Sequence, residues 1–354
     1  MLEDVITQIK PLDVQAMEKC QVRLDNLTKP LGSLHHFEHL ACQMAGITGN
    51  PRPRTLPKSI ILMAGDHGVA AEEPSAYPQE TTAGTIGSLC NGGAAINVFA
   101  DHVGANLVIV DVGVAADLPP LPRVHRQKIA YGTKNMAQEA AMTREQAVQA
   151  IEAGIKTAGE EIARGSRVLG LGEISMAGTT ASTAIIACYS PQPLAELAGD
   201  GKKLQVLARA LAVNAPDKND PLDVLSKVGG LEIAGLAGVI LGAAAGGAAV
   251  VLDGLATGAA ALIAVKMAPA VKSYLVGSHF AVEPAHQAAL DIIGIPAYIY
   301  LDMRLGAGTG AALGMSLINA SLHVLNDMKT FGEAEVPVAQ DGPGALKQSK
   351  DVKD

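Results

Sequence analysis

Five short apolar runs, each closing on an acid or a glycine, constrain this chain more than any other feature. They are SIILMAGDHG (Ser59–Gly68), NLVIVDVG (Asn106–Gly113), RVLGLGE (Arg167–Glu173), AAVVLDG (Ala248–Gly254) and AYIYLDMRLG (Ala297–Gly306). Hydrophobicity is continuous along each rather than alternating, which is the pattern of strands covered on both faces. Helical patterns separate them. In TREQAVQAIEAGIKTAGEEIARG, Thr143 and Gln146 have capping-box spacing, Val148, Ile151, Ile155 and Ile162 share one face, and Gly165 closes the segment. Strands alternating with helices predict an α/β fold: an open, mostly parallel sheet with flanking helices. The carboxyl ends of such strands share one edge, where ligands bind. Asp66-His67-Gly68, Asp111, Gly172-Glu173, Asp253-Gly254 and Asp302 with Arg304 to Gly306 all fall there. One strand-end aspartate is ordinarily a helix cap; five such ends point to a common site.

The flanking segments differ. The chain up to about Gly49 is helical and amphipathic and carries the loop RLDNLTKPLGSL (Arg23–Leu34); a last helix starts near Thr309, and the chain is polar beyond it. The expected division is 1–49 as the N-terminal part of a small helical subdomain, 50–308 as the α/β domain, 309–332 as the helix completing the subdomain, and 333–354 as a polar, fraying tail. Aromatics are 3% of the 354 residues and Trp is absent, so the core must be packed from Ala, Val, Leu, Ile and Gly. Ile233–Leu252 is uncharged and long enough to span a bilayer. It is mostly Ala and Gly, however, and Gly246-Gly247 splits it into a buried helix, a turn and a strand. No membrane association is expected. The four cysteines are far apart with no CxxC, and MLEDVITQIK lacks the form of a signal peptide, which predicts reduced thiols and a cytoplasmic protein. A formal net charge of −8 argues against a nucleic-acid surface.

GEISMAGTTAS combines the strand-end acid Glu173 with Gly178, Thr179 and Thr180 entering a helix, a set of carboxylate, N–H and hydroxyl groups suited to a ribose and a phosphate. SKVGGLEIAG places Gly229 and Gly230 at a helix start, an anion-type terminus. VGSHF adds Ser278, and RLGAGTGAALG supplies Gly306, Gly308, Thr309 and Gly310. Together these suggest a phosphosugar site. GLGEIS and GAGTGA are incomplete dinucleotide fingerprints, and no GxxxxGK[ST] is present. HHFEH puts His35 and His39 at chelating i, i+4 spacing, but no third ligand follows in a recognisable pattern, so an exposed helix face is expected and no metal is assigned.

RLDNLTKPLGSL, AGDHGV, DVGV, GEISMAGTT, SKVGGLEIAG, VLDGLATGAAAL, SHFAVEPAH and RLGAGTGAAL occur in the order seen in the nicotinate-nucleotide:dimethylbenzimidazole phosphoribosyltransferase family. The chain resembles that family from about Arg23 to Phe331. The resemblance implies a dimer with a Rossmann-like large domain, residues 50–308 being the phosphoribosyltransferase domain, and a small helical domain. It implies transfer of phosphoribose from nicotinate mononucleotide to a cobamide lower-ligand base, with no metal or redox cofactor. By motif position Glu173, preceded by Gly172, corresponds to a glutamate near the ribose. Lys203 corresponds to a phosphate-contacting lysine. Gly229, Gly230, Ser278 and Gly306 to Gly310 resemble nucleotide-binding loops. Asp66, His67, Tyr77, Pro78 and Thr85 fall around the base pocket.

Three departures stand out. The family's RLGEGTGAA carries a general-base glutamate where this chain has Ala307; its GNTT reads AGTT, with Gly178 for the asparagine; and Tyr77 precedes Pro78 where the family often has Ser-Pro, with Thr85 in place of a glutamine. This resembles the family branch that activates phenol or p-cresol with two different homologous subunits. The implied reading is a base-lacking subunit paired with a catalytically complete homologue. Two alternatives stay open: an active homodimer using another base such as Glu173, or a water relay, on a phenolic or benzimidazole acceptor; and a non-catalytic nucleotide-binding protein.

Overall fold

A computed structural model describes residues 1–72 and 81–353, so Tyr77 and Pro78 lie outside the described residues. Six parallel strands form one sheet: β1 (Lys58–Gly65), β2 (Ala105–Gly113), β3 (Val124–Arg126), β4 (Val168–Ile174), β5 (Ala249–Val251) and β6 (Leu275–Val276). Their order is β3-β2-β1-β4-β5-β6, the Rossmann order. The strand order reverses between β1 and β4, which opens a crevice at their carboxyl ends. All eight residues of β1 are buried, as the apolar run that follows Lys58 and Ser59 requires.

Four of the five expected strands are present. Ala297–Gly306 is not a strand; it contributes one isolated bridge, Ile299 to His279, and β6 closes that edge instead. The reason is its surroundings: Tyr300, Leu301 and Leu305 are 74%, 55% and 63% exposed, so this apolar run is not covered on both faces. β3 and β6 are too short to give a pattern.

Two helices on the sheet, Arg144–Ala163 and Leu231–Ala245, approach backbone to backbone. The first has its capping box at Thr143 and Gln146. A Cβ on Gly238 would lie 1.9 Å from the Ile151 carbonyl oxygen, and one on Gly154 1.9 Å from that of Gly235. The glycine-rich composition is thus what allows this contact. Gly238→Ala is expected to lower stability by about 1–3 kcal/mol through overpacking. Gly159→Ala, on the same helix as Gly154 but with nothing within 4 Å of a new Cβ, should be neutral or stabilising by up to about 1 kcal/mol. Denaturant midpoints of the two variants test this pair. Ile233–Leu252 resolves into the end of one helix at Ala245, a turn and β5, and among the described residues no helix is long and apolar enough to cross a membrane.

The contacts divide the chain into a large unit, Met1–Lys10 with Pro57–Gly314, and a small unit, Pro11–Leu56 with Met315–Asp354. The first ten residues therefore depart from the expected 1–49 segment. Leu2 is buried in the large unit, its N–H donating to Glu152, and the Tyr274 hydroxyl donates to the Lys10 carbonyl. The small unit packs Cys20, Leu24, Leu27, Ala41, Ala45 and Leu325 into its own core. Its Arg23 donates to the carbonyls of Leu325 and Met328 and pairs with Glu333. The segment after 333 is not a fraying tail. It forms a short helix, Gly342–Lys347, then returns to Asn26 and Lys29, where Ser349 N–H donates to Asn26 Oδ1 and Gln348 Nε2 to the Lys29 carbonyl. Polar contacts with backbone hold it, and hydropathy does not register those.

Candidate active site

The carboxyl ends of β1 and β4 bring the predicted acids together. Glu173 pairs in register with Met63, one residue short of the end of β4. The β1 register shifts between Ala64 and Gly65, just before Asp66 and His67 leave the sheet. His67 Nε2 lies 2.6 Å from Glu232 Oε1, both side chains buried. Burial disfavours the imidazolium, but Glu232, with Glu173 and Asp66 behind it, outweighs that and holds the His67 pKa above its ordinary value. Glu232 occupies the first turn of Leu231–Ala245, whose N-cap is Gly230. A Cβ on Gly230 would fall 2.4 Å from the His67 ring, so this glycine makes room for the pair. Gly229 N–H donates to the Leu225 carbonyl. Asp66 is buried, accepting from Thr82 Oγ1 at 2.6 Å and Ala115 N–H at 2.8 Å; burial raises its pKa.

Two clefts open at this edge. The first is lined by charged and polar groups including Glu173, Thr179, Asp253, Thr257, His279, Glu283 and Arg304, with Gly306. The second is more apolar, lined by Thr85, Leu89, Ile96, Ile174, Met176 and Ala307 among others. Glu173 and Leu305 line both. The half-buried Glu173 carboxyl accepts from Ser175 Oγ at 2.6 Å. Desolvation pushes its pKa up to about 7; Glu232 and Asp253 add to the rise, while Ser175 and His67 oppose it. A Cβ at Gly178 would lie 2.0 Å from Ser175 Oγ. The glycine that replaces the family asparagine thus leaves Ser175 room to hold Glu173.

The loop at Ala307 has an unusual backbone. Gly306, Ala307 and Gly308 have φ of 76°, 53° and 82°, three left-handed residues in succession. For alanine that conformation costs roughly 1–2 kcal/mol. The surroundings enforce it. The Asp253 carboxylate accepts from Gly308 N–H at 2.8 Å and Gly310 N–H at 2.7 Å, while Thr309 donates through N–H and Oγ1 to the Gly306 carbonyl. Gly172 permits the loop to lie on β4, since a Cβ there would be 2.4 Å from Gly308 N. The N–H groups of Gly308 and Gly310 are therefore engaged by Asp253. Burial raises the Asp253 pKa, opposed by His279 and these donors. Ser278 is buried beside it, its Oγ 3.1 Å from His279 Nδ1.

Of the other predicted residues, Thr179 is exposed in the polar cleft and Thr180 is buried beneath it in the helix Gly178–Tyr189. Lys203 is half-buried in the first turn of Lys202–Asn214 and lines neither cleft. The sequence placed Asp253 and Arg304 among the strand ends that point to a common site without giving either a role, and Thr257, His279 and Glu283 were passed over. VLDGLATG and SHFAVEPAH, which carry all but Arg304, were the available signal.

A protein-family model described as "Phosphoribosyltransferase" matches residues 9–336. The nicotinate-nucleotide–dimethylbenzimidazole phosphoribosyltransferase of Roseiflexus sp. (strain RS-1) is 49% identical over 345 residues, covering 95% of this chain and 98% of that one. The chain belongs to the nicotinate-nucleotide–dimethylbenzimidazole phosphoribosyltransferase family. The phosphoribosyltransferase of the same name from Geobacter metallireducens is 45% identical over 350 residues, covering 96% and 99% of the two chains. A crystal structure of the Thermus thermophilus phosphoribosyltransferase matches with a TM-score of 0.88 at 38% identity, over 92% of this chain and 99% of that one. In this phosphoribosyltransferase, then, a Rossmann crevice is bordered by a last loop with three left-handed residues in succession, and the position after Gly306 has no functional group.

Proposed function

We propose that the chain binds nicotinate mononucleotide in the polar cleft and takes part in transferring its phosphoribosyl group to a cobamide lower-ligand base, as a subunit lacking its own general base. It acts with a homologous, catalytically complete subunit, and phenol or p-cresol is the favoured acceptor. One observation carries this reading: Ala307 borders the apolar cleft next to Glu173, on a loop still held in its left-handed conformation. In the reaction the C1′–N bond to the cationic nicotinate ring breaks, the pair returns to that nitrogen, and C1′ becomes oxocarbenium-like. A bond forms from C1′ to the acceptor oxygen, or to a benzimidazole nitrogen, and the acceptor proton must pass to a base. Residues such as Glu173 and Asp253 supply negative charge beside the polar cleft for the cationic centre.

A second reading, an active homodimer with Glu173 as base, is favoured by that carboxyl lining both clefts with a pKa near the pH at which a base works best. The chain should be assayed alone and mixed with a homologue that bears the glutamate, following formation of the phenol and benzimidazole ribotides. Little product alone and rapid phenol transfer on mixing is the expected result. Full activity of the lone chain on benzimidazole would instead establish the second reading. Tight nucleotide binding with no transfer in either preparation would make the protein a nucleotide-binding one.

A further inference from the structure

The small unit carries a side-chain cluster that the phosphoribosyl chemistry does not use. His35, His36 and His39 are all exposed, and one ring nitrogen from each lies within 4.8 Å of the others. His35 and His39 meet across one helical turn, with ring centroids 4.6 Å apart. His35 and His36 are sequence neighbours, and neighbours on a helix do not face each other. Here they do, at 4.4 Å between centroids, because His35 is not helical. It is the N-cap of His36–Thr48 with φ 32° and ψ −92°, which swings its ring onto the face of the next residues.

The turn that presents His35 is fixed from below. Glu38 accepts from the Leu34 N–H at 2.9 Å and pairs with Lys29 at 2.8 Å, both charged side chains buried. His35 N–H donates to Gly32 O and His39 N–H to His35 O. The three imidazoles thus stand on an anchored backbone, and their exposed side chains can change rotamer in solvent. Metal–imidazole bonds of about 2.0–2.1 Å require the nitrogens to close to somewhat over 3 Å, a movement within reach of such rotamers.

We propose that His35, His36 and His39 form a binding site for a borderline divalent transition metal such as Zn²⁺, Ni²⁺ or Co²⁺. Three neutral imidazoles match the preference of these ions and leave at least one coordination position for water. The helix N-terminus disfavours a cation and Glu38 is already committed to Lys29, so affinity rests on the imidazoles alone and should be micromolar. Binding would lock the N-cap conformation and stabilise the folded chain by linkage.

The test uses untagged full-length protein titrated with Ni²⁺ and Zn²⁺ by calorimetry. One ion per chain is expected, with at least tenfold weaker binding in His36→Ala and in His39→Ala. The thermal midpoint should rise with Zn²⁺ in the unaltered chain and not in His39→Ala. His323, paired with Asp327 at 2.6 Å on another exposed helix face, provides the control: His323→Ala should change nothing. No binding, binding abolished by His323→Ala, or binding unaffected by the His36 and His39 changes overturns the proposal. So does thiolate charge-transfer absorption in the Co²⁺ form, which would place the ion on cysteine.

Discussion

On the reading in which Glu173 serves as the base, replacing it by glutamine lowers the chain's own phosphoribosyl transfer by about 10²- to 10⁴-fold, the range for a lost general base; on either reading it raises stability above pH 7. Both effects follow from one carboxyl. Glu173 lines both clefts, and burial pushes its pKa up to about 7 from an ordinary 4.5. Between those two values the folded chain holds a proton that the unfolded chain has released. Stability on this account falls as pH rises from about 4.5 to 7, and above 7 the native state carries an ionised, poorly solvated carboxylate. Glutamine keeps a partner for Ser175 and removes that charge. Its thermal midpoint should exceed that of the unaltered chain at pH 8 and converge with it below pH 4.5. On the same reading, whatever transfer the unaltered chain performs should rise with pH through a midpoint near 7, the acid limb belonging to Glu173. A rate that survives the substitution, or a flat profile across that range, removes Glu173 from the chemistry. Lost activity with lowered stability at every pH would make it a structural residue.

Four strands of the sheet were legible because they are continuous apolar runs with an acid or glycine at the same end, and that end is where the two clefts open. Glu173 needed only its position at the end of GLGE and the GTT that follows. What the sequence could not show is what each glycine makes room for. Gly229 and Gly230 read as an anion-type helix start; that Gly230 also makes room for His67 against Glu232 has no local signature. Gly308 and Gly310 read as part of a nucleotide-binding loop; that their N–H groups meet Asp253, more than fifty residues earlier in the chain, could not be read from the pattern. Local pattern identifies a glycine that must stay small; it does not identify its neighbour. The same limit explains why HHFEH read only as two histidines at chelating spacing. The approach of His35 to His36 depends on the N-cap φ of His35, a backbone angle with no signature in composition or spacing. The run at Ala297–Gly306 misled for the opposite reason, because apolar residues left exposed have the same letters as a buried strand.

Ala307→Glu should raise transfer by the lone chain by about 10²- to 10⁴-fold. The loop is already shaped for it. Asp253 holds Gly308 and Gly310, Gly172 lets the loop rest on β4, and residue 307 faces the apolar cleft. Glutamate and alanine both carry a Cβ, so the left-handed conformation strains them alike, and the substitution need not disturb the fold. Ala307→Gly separates strain from chemistry: it should stabilise by up to about 1 kcal/mol and restore no activity. A second carboxylate near Glu173 brings like charges together, so at least one of the pair titrates higher than Glu173 does alone. The acid limb of Ala307→Glu should therefore lie above 7 and be shared by the two groups. Adding Glu173→Gln to Ala307→Glu then distinguishes two roles for Glu173. If it is only a substitute base, the double variant keeps most of the restored rate; if it contacts the ribose, the rate collapses again and the two changes fail to add. Should Ala307→Glu bind the nucleotide normally yet transfer no faster, the missing carboxylate is not what limits this chain.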